Sequence, residues 1–85
     1  MPQDRSKPHF SADDTIGGRI SLARDAIDLT LDEAADFLMV SAWTWASWEN
    51  DRATPPTDRL PLMARLLEVG PTWLLTGYGS GPRWP

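Results

Sequence analysis

The segment that decides the fold runs from Thr30 to Asn50, with the sequence TLDEAADFLMVSAWTWASWEN. Thr30 and Glu33 have the spacing of a capping box, in which the hydroxyl and the carboxylate each accept a hydrogen bond from a free helix amide. Ser41 is a second N-cap candidate, and the helix after it is predicted over about 42–50. Two short helices with so few residues between them are typical of a helix-turn-helix unit.

Two tryptophans share one face of the second of these helices. Trp45 and Trp48 lie three positions apart, so both indoles project from one helix face. Asp58 or Thr57 is expected to cap a later helix that contains a proline in its first turn. The sequence lacks the alternation of apolar and polar residues that is typical of strands. It therefore predicts an all-α bundle, whose other helices cover about 16–27, 59–68 and 72–75.

Length and composition limit the classes of function. A chain of 85 residues forms one small domain, without room for a second domain and a deep cleft. There is no cysteine, which excludes disulfides, thiolate metal ligands and a thiol nucleophile. The single histidine, His9, lies in a polar stretch, so neither a histidine-based triad nor a zinc site is expected. The sequence has neither an apolar run long enough to span a membrane nor a secretory signal, so we expect a cytoplasmic protein. From the missing catalytic and metal-binding residues we expect no enzyme, no metal and no cofactor.

Polarity and charge divide the chain further. Residues 1–12 are predicted to be a flexible N-terminal arm, residues 13–77 the folded domain, and residues 78–85 a Gly/Pro-rich tail. The net charge is −4, and three of the eight basic residues (Arg5, Lys7 and Arg83) lie outside the predicted domain. Because affinity for a nucleic-acid backbone comes largely from lysine and arginine, any contact with DNA must rest on a few well-placed groups.

A set of short motifs, in a fixed order, carries a family resemblance. The matching pieces are Arg19-Ile20, Arg24, Thr30-Leu31-Asp32-Glu33-Ala34-Ala35, Val40-Ser41, Trp48-Glu49-Asn50, Pro55 and Trp73-Leu74-Leu75-Thr76-Gly77. The stretch from Arg19 to Gly77 thereby resembles the Cro and phage-repressor (Xre-type) helix-turn-helix family. The resemblance implies a compact, lambda-repressor-like bundle of four to five helices. It also implies a transcriptional repressor of phage or prokaryotic origin that binds double-stranded operator DNA as a homodimer.

The resemblance also implies roles for individual residues. Arg24 and Glu49 match a pair that forms a structural salt bridge in this family, and the helix over 42–50 matches the recognition helix that enters the major groove. Trp45 and Trp48 match core positions of that helix, so their indoles are expected in the core. Arg52 and Arg19 are expected to supply local positive charge. The positions expected to face DNA are Leu31, Ser41, Ala42, Trp43, Thr44, Ser47, Asn50 and Arg52.

Several positions depart from the residues usual in the family. Leu31 stands where a glutamine commonly begins the first helix of the unit. Ala42 and Trp43 stand where glutamine, arginine or lysine usually contacts base edges. Met39 and Asp51 replace two usual glycines, the first between the paired helices and the second after the Glu-Asn pair.

These departures leave two functions open. One is a repressor-like DNA-binding regulator. The other is an acidic protein-interaction module on the same fold, antirepressor- or antitoxin-like, in which Leu31, Met39, Ala42 and Trp43 form an apolar contact face. A purely structural alternative also exists for Trp43, whose indole could fold back onto Leu31 or the N-terminal arm.

Overall fold

The computed structural model describes residues 15–82, and these residues form an all-α bundle without strands. The five α-helices are α1 (Ile16–Ala26), α2 (Leu31–Leu38), α3 (Ala42–Glu49), α4 (Leu60–Leu67) and α5 (Pro71–Thr76). A single 3-10 turn at Thr57–Arg59 precedes α4. The predicted arm, residues 1–12, and Trp84 in the predicted tail lie outside the described residues.

Helix α1 is held against the end of α3 by a close backbone contact. Thr15 caps α1, since its hydroxyl accepts from the amide of Gly18. Gly17 is buried, and a Cβ at this position would lie only 2.7 Å from the carbonyl oxygen of Glu49. The amide of Gly17 also donates to the carboxylate of Asp51 at 2.9 Å. Glycine is therefore required here for the approach of the two helices, although it disfavours a helix by itself.

Helices α2 and α3 form the predicted helix-turn-helix. The capping box is complete, with Glu33 N donating to Thr30 Oγ1 at 3.1 Å and Thr30 N donating to Glu33 Oε1 at 2.9 Å. Met39 ends α2 in the left-handed region, with a φ of 59°, and so takes the conformation for which glycine is favoured. Ser41 then caps α3 by accepting from Thr44 N at 3.0 Å.

The two indoles of α3 lie at the centre of the core. Trp45 is fully buried, Trp48 is nearly so, and their ring centroids are 5.8 Å apart with the planes tilted by 54°. A tilted pair at this distance is favourable beyond the apolar area that it buries. Apolar side chains from all five helices complete the core, among them Ile20 from α1, Leu38 from α2, Met63 and Leu67 from α4 and Leu74 from α5.

The start of α4 differs from the prediction. Neither Thr57 nor Asp58 caps the helix; both belong to the 3-10 turn, and the N-terminus of α4 has no side-chain cap. The 3-10 turn leads into the helix instead, and its backbone hydrogen bond runs from Arg59 N to Pro56 O at 2.9 Å. Pro61 falls in the first turn of α4, where its missing amide costs little.

The segment after α5 returns to the domain. The amide of Gly70 donates to Ser80 O at 2.7 Å, next to the start of α5. A Cβ at Gly81 would lie 2.9 Å from the indole of Trp73, so the backbone at this glycine lies directly on the ring. Residues 79–82 are thus packed on α5, whereas the side chain of Tyr78 remains exposed.

Candidate nucleic-acid interface

An open stripe runs along the side of α3 that faces away from the core. Trp43, Ala46 and Asn50 follow one another at intervals of three and four residues, and with Ser47 and Arg52 they line a cleft of about 200 Å³. The cleft has an apolar end at the start of α3 and a polar, positively charged end after it. Ala46 was missed as a lining residue, although its spacing from Trp43 and Asn50 would have indicated it.

Of the three hydroxyls predicted to face DNA, those of Ser41 and Ser47 already donate their protons within the domain, whereas that of the half-buried Thr44 only accepts. Ser41 donates to Thr44 Oγ1 at 2.9 Å while it caps the helix, so its only donor is used. Ser47 is buried, and its hydroxyl donates to Thr44 O at 2.7 Å. That Ser47 faces DNA stays a prediction: the residue borders the cleft, but its side chain is buried and its hydroxyl proton is directed back into the helix.

The apolar residues around the turn are strongly exposed. Met39 is 89 % exposed, Trp43 is 78 % exposed and Phe37 is 51 % exposed. Ala42 is also exposed, while Leu31 is half-buried against the core. An indole this exposed has not folded back onto Leu31, so the described residues do not support the structural alternative for Trp43.

Most of the described arginines stabilise the fold. Arg19 is buried, with Nε donating to Leu74 O at 2.7 Å and Nη2 donating to Leu75 O at 2.9 Å, so it cannot supply charge to a DNA-binding face as expected. Arg59 donates to Leu38 O at 2.7 Å, at the end of α2. Of the arginines in residues 15–82, only Arg52 and Arg65 have exposed side chains, and only Arg52 lies at the cleft.

An ion pair joins α1 to the end of α3. Arg24 Nε lies 2.6 Å from Glu49 Oε2, and Arg24 Nη2 lies 3.1 Å from Glu49 Oε1, which is the bidentate geometry of a strong pair. The indole N–H of Trp45 donates to the same carboxylate at 2.6 Å. The hydrogen bond to Glu49 raises the pKa of Arg24, against the opposing effect of burial. The pair fixes the orientation of α3, and with it the direction of the open stripe.

The exposed side of α2 is acidic. Asp32, Glu33 and Asp36 are all exposed, and no basic side chain among residues 15–82 pairs with them. Hydrogen bonds from Thr30, its backbone amide first, lower the pKa of Glu33. A surface of this charge next to the turn repels phosphates, so favourable contacts with DNA are restricted to the region around α3.

No helix within residues 15–82 is long and apolar enough to cross a membrane. The same residues contain no group of three or more histidine, cysteine, aspartate or glutamate side chains placed to hold a metal ion.

The fold and the open recognition-helix stripe define a helix-turn-helix protein, and a comparison with family profiles identifies the family. The helix-turn-helix profile of the Cro/C1 (Xre-like) type matches residues 20–74, more than half of the chain. The chain belongs to this family of DNA-binding regulators. Searches of curated proteins and of solved structures returned no match.

Proposed function

We propose that this protein is a repressor-like transcriptional regulator that binds operator DNA with α3 in the major groove. The observation that carries the proposal is the cleft itself, where Asn50 and Arg52 offer free donors at one end of an open recognition-helix stripe. An amide and a guanidinium at the end of such a helix are suited to holding a phosphate, while the start of the helix faces base edges. The proposed setting is the cytoplasm of a prokaryote, with a phage or bacterial operator as target.

The charges of the described residues indicate modest affinity. One exposed arginine lies at the cleft, and the neighbouring helix α2 carries three exposed acidic side chains. Each phosphate neutralised by a lysine or arginine adds about one to the slope of log affinity against log salt concentration. The expected slope is therefore shallow: salt weakens binding only slightly, and the affinity is modest even at low salt.

A homodimer would add affinity, because two half-sites would be bound together. Leu62 on α4 is 39 % exposed, and Leu75 on α5 is 55 % exposed. Leu66 lies one turn after Leu62 on the same face of α4 and is half-buried. These leucines are the proposed contact between two copies, placed on helices other than α3 so that both recognition helices stay free.

The direct test uses duplexes selected from a randomised library at about 50 mM salt, with affinity followed by fluorescence anisotropy. Arg52→Ala and Asn50→Ala should each weaken binding of the selected duplex by roughly ten- to hundredfold, the effect of losing a hydrogen bond to a charged group. Arg65→Ala removes the other exposed arginine, on α4, and should leave the dissociation constant unchanged. Equal effects of Arg52→Ala and Arg65→Ala would show that the cleft does not hold the phosphate.

A second function, binding of a protein partner, is favoured by one specific observation. Phe37, Met39 and Trp43 expose apolar side chains beside three acidic residues that lack counter-charges among residues 15–82. Exposed apolar patches of this kind usually mark contact sites, and tryptophan is a frequent hot-spot residue. Under this alternative no duplex is retained at low salt, and Trp43→Ala, but not Arg65→Ala, dissociates a complex with a protein of the same cell.

A further inference from the structure

At and beside the end of the cleft that would face the bases, no side chain is an amide or a guanidinium. Ala42 and Trp43 are exposed there, whereas Ser41 donates its proton to Thr44 and Ser47 turns its hydroxyl into the helix. Recognition helices commonly use amide or guanidinium groups that form paired hydrogen bonds with adenine or guanine. Such pairs are not available to Ala42 and Trp43, which can offer only one indole N–H and an exposed apolar surface, and the apolar surface is the larger of the two.

The length of the stripe fits the distance from a phosphate to the base edges. Trp43 and Asn50 are seven residues apart, which corresponds to about 10 Å along an α-helix. The major groove is about 8.5 Å deep, so a span of this length can join a phosphate at its edge to the base edges in its floor. When Asn50 and Arg52 hold a phosphate at the edge of the groove, the indole of Trp43 reaches the base edges in its floor.

We propose that Trp43, with the methyl group of Ala42 beside it, selects thymine through the C5-methyl group of that base; the proposal rests on the DNA-binding function above. Thymine is the one base that presents an apolar group in the major groove, whereas the other bases present only donors and acceptors there. An indole face over those polar edges would remove water from them without replacing its hydrogen bonds. Against thymine, the same indole buries a methyl group, which strengthens binding by about fourfold.

The test compares thymine with uracil, which has the same hydrogen-bonding edge but lacks the methyl group. The best duplex selected from a randomised library is resynthesised with one thymine at a time replaced by deoxyuridine, and each dissociation constant is measured with the full chain. For the unmodified protein, at least one replacement should weaken binding by about fourfold. For Trp43→Ala, the thymine and uracil duplexes should bind equally well.

Two matched variants separate this role from general effects. Phe37→Ala removes another exposed aromatic ring, on α2 and outside the cleft, and should retain the fourfold preference for thymine. Arg52→Ala should weaken the thymine and uracil duplexes by the same factor, because it acts on the phosphate. Because the Trp43 side chain is 78 % exposed, its removal should leave the thermal midpoint of unfolding nearly unchanged.

Three results would overturn the inference while leaving the DNA-binding function intact. These are equal binding of thymine and uracil duplexes by the unmodified protein, a preference for thymine that persists in Trp43→Ala, and a selected site without thymine. The second result would assign the preference to the shape of the duplex. Failure to retain any duplex would refute the DNA-binding function itself, and the inference with it.

Discussion

Replacing Glu49 with alanine is predicted to lower the free energy of unfolding by about 3 kcal/mol. The carboxylate accepts from Arg24 Nε at 2.6 Å, from Arg24 Nη2 at 3.1 Å and from the indole N–H of Trp45 at 2.6 Å. Its side chain is only 10 % exposed. Removing it leaves a charged group and a buried indole N–H without their acceptor.

The magnitude follows from the burial of the two donors. Breaking a fully buried ion pair costs about 3–5 kcal/mol. The Arg24 side chain is 18 % exposed and keeps its bond from Nη1 to Leu29 O at 2.8 Å, which places its share below that range. The indole of Trp45 is fully buried, so its unsatisfied N–H adds about 1–3 kcal/mol. The two costs share one acceptor and do not add in full, which gives the value of about 3 kcal/mol.

Urea unfolding followed by tryptophan fluorescence measures this change. In a domain of this size, about 3 kcal/mol corresponds to a fall of roughly 12–24 °C in the thermal midpoint. Glu49→Gln keeps an acceptor but loses the charge, so about half of the effect is expected. Asp36→Ala, an exposed acidic residue on α2, is the control and should change stability by less than about 0.5 kcal/mol. A Glu49→Ala protein as stable as Asp36→Ala would refute the reasoning, because water would then replace the carboxylate without cost.

Three further predictions concern backbone strain, close packing and pH. Met39→Gly should stabilise the domain by about 1 kcal/mol, because Met39 has a φ of 59° and an exposed side chain. Asp51→Gly should destabilise the domain although Asp51 also has a φ of 59°, because its carboxylate accepts from the hydroxyl of the α1 cap residue and from an amide of α1. Urea unfolding of Met39→Gly and Asp51→Gly measures both changes, and changes of the same sign would contradict this account. Gly17→Ala should sharply lower the thermal midpoint, because a Cβ there would lie 2.6 Å from the Asp51 carboxylate; an unchanged midpoint would show that α1 and α3 can separate freely. Because the pKa of Glu33 is lower in the folded state, the charge of Glu33 stabilises the domain above the unfolded value of 4.5, and this contribution is lost as the pH falls through the lower folded value. The difference in thermal midpoint between the unmodified protein and Glu33→Gln should therefore shrink between pH 7 and about pH 3. A constant difference would contradict the capping role.

The helix-turn-helix could be predicted because its signals are local. The capping box of Thr30 and Glu33 lies within four residues, and the hydrogen bonds that it predicts are present. The burial of Trp45 and Trp48 follows from their spacing on one helix face, and both indoles lie in the core. Neither feature depends on how distant parts of the chain are arranged.

The features that could not be predicted depend on contacts between distant segments. Arg19 reaches carbonyl groups of α5 that lie more than fifty residues away in sequence, so no local signal shows that its charge is engaged within the fold. The role of Asp51 in closing α1 onto α3 is of the same kind. Ser47 differs: its bond to Thr44 O is local, but an exposed serine and a serine bonded back to its helix have the same sequence pattern.

The start of α4 was predicted wrongly for a related reason. Thr57 and Asp58 are good capping residues, and the sequence pattern therefore favours a helix that begins directly after one of them. The chain forms a 3-10 turn there instead, and Arg59 in that turn donates to Leu38 O at the end of α2. A tertiary contact with α2 thus accompanies a helix start that local propensity does not favour.

The measurement that tests the central claim most directly is the salt dependence of binding to the best selected duplex. Affinity is measured from about 50 to 200 mM salt for the unmodified protein, Arg52→Ala and Arg65→Ala. If α3 contacts DNA with its open stripe, Arg52→Ala reduces the steepness of log affinity against log salt by about one for each copy bound to the duplex, and Arg65→Ala leaves it unchanged. Identical slopes for all three proteins, or no retained duplex at the lowest salt, would contradict the account.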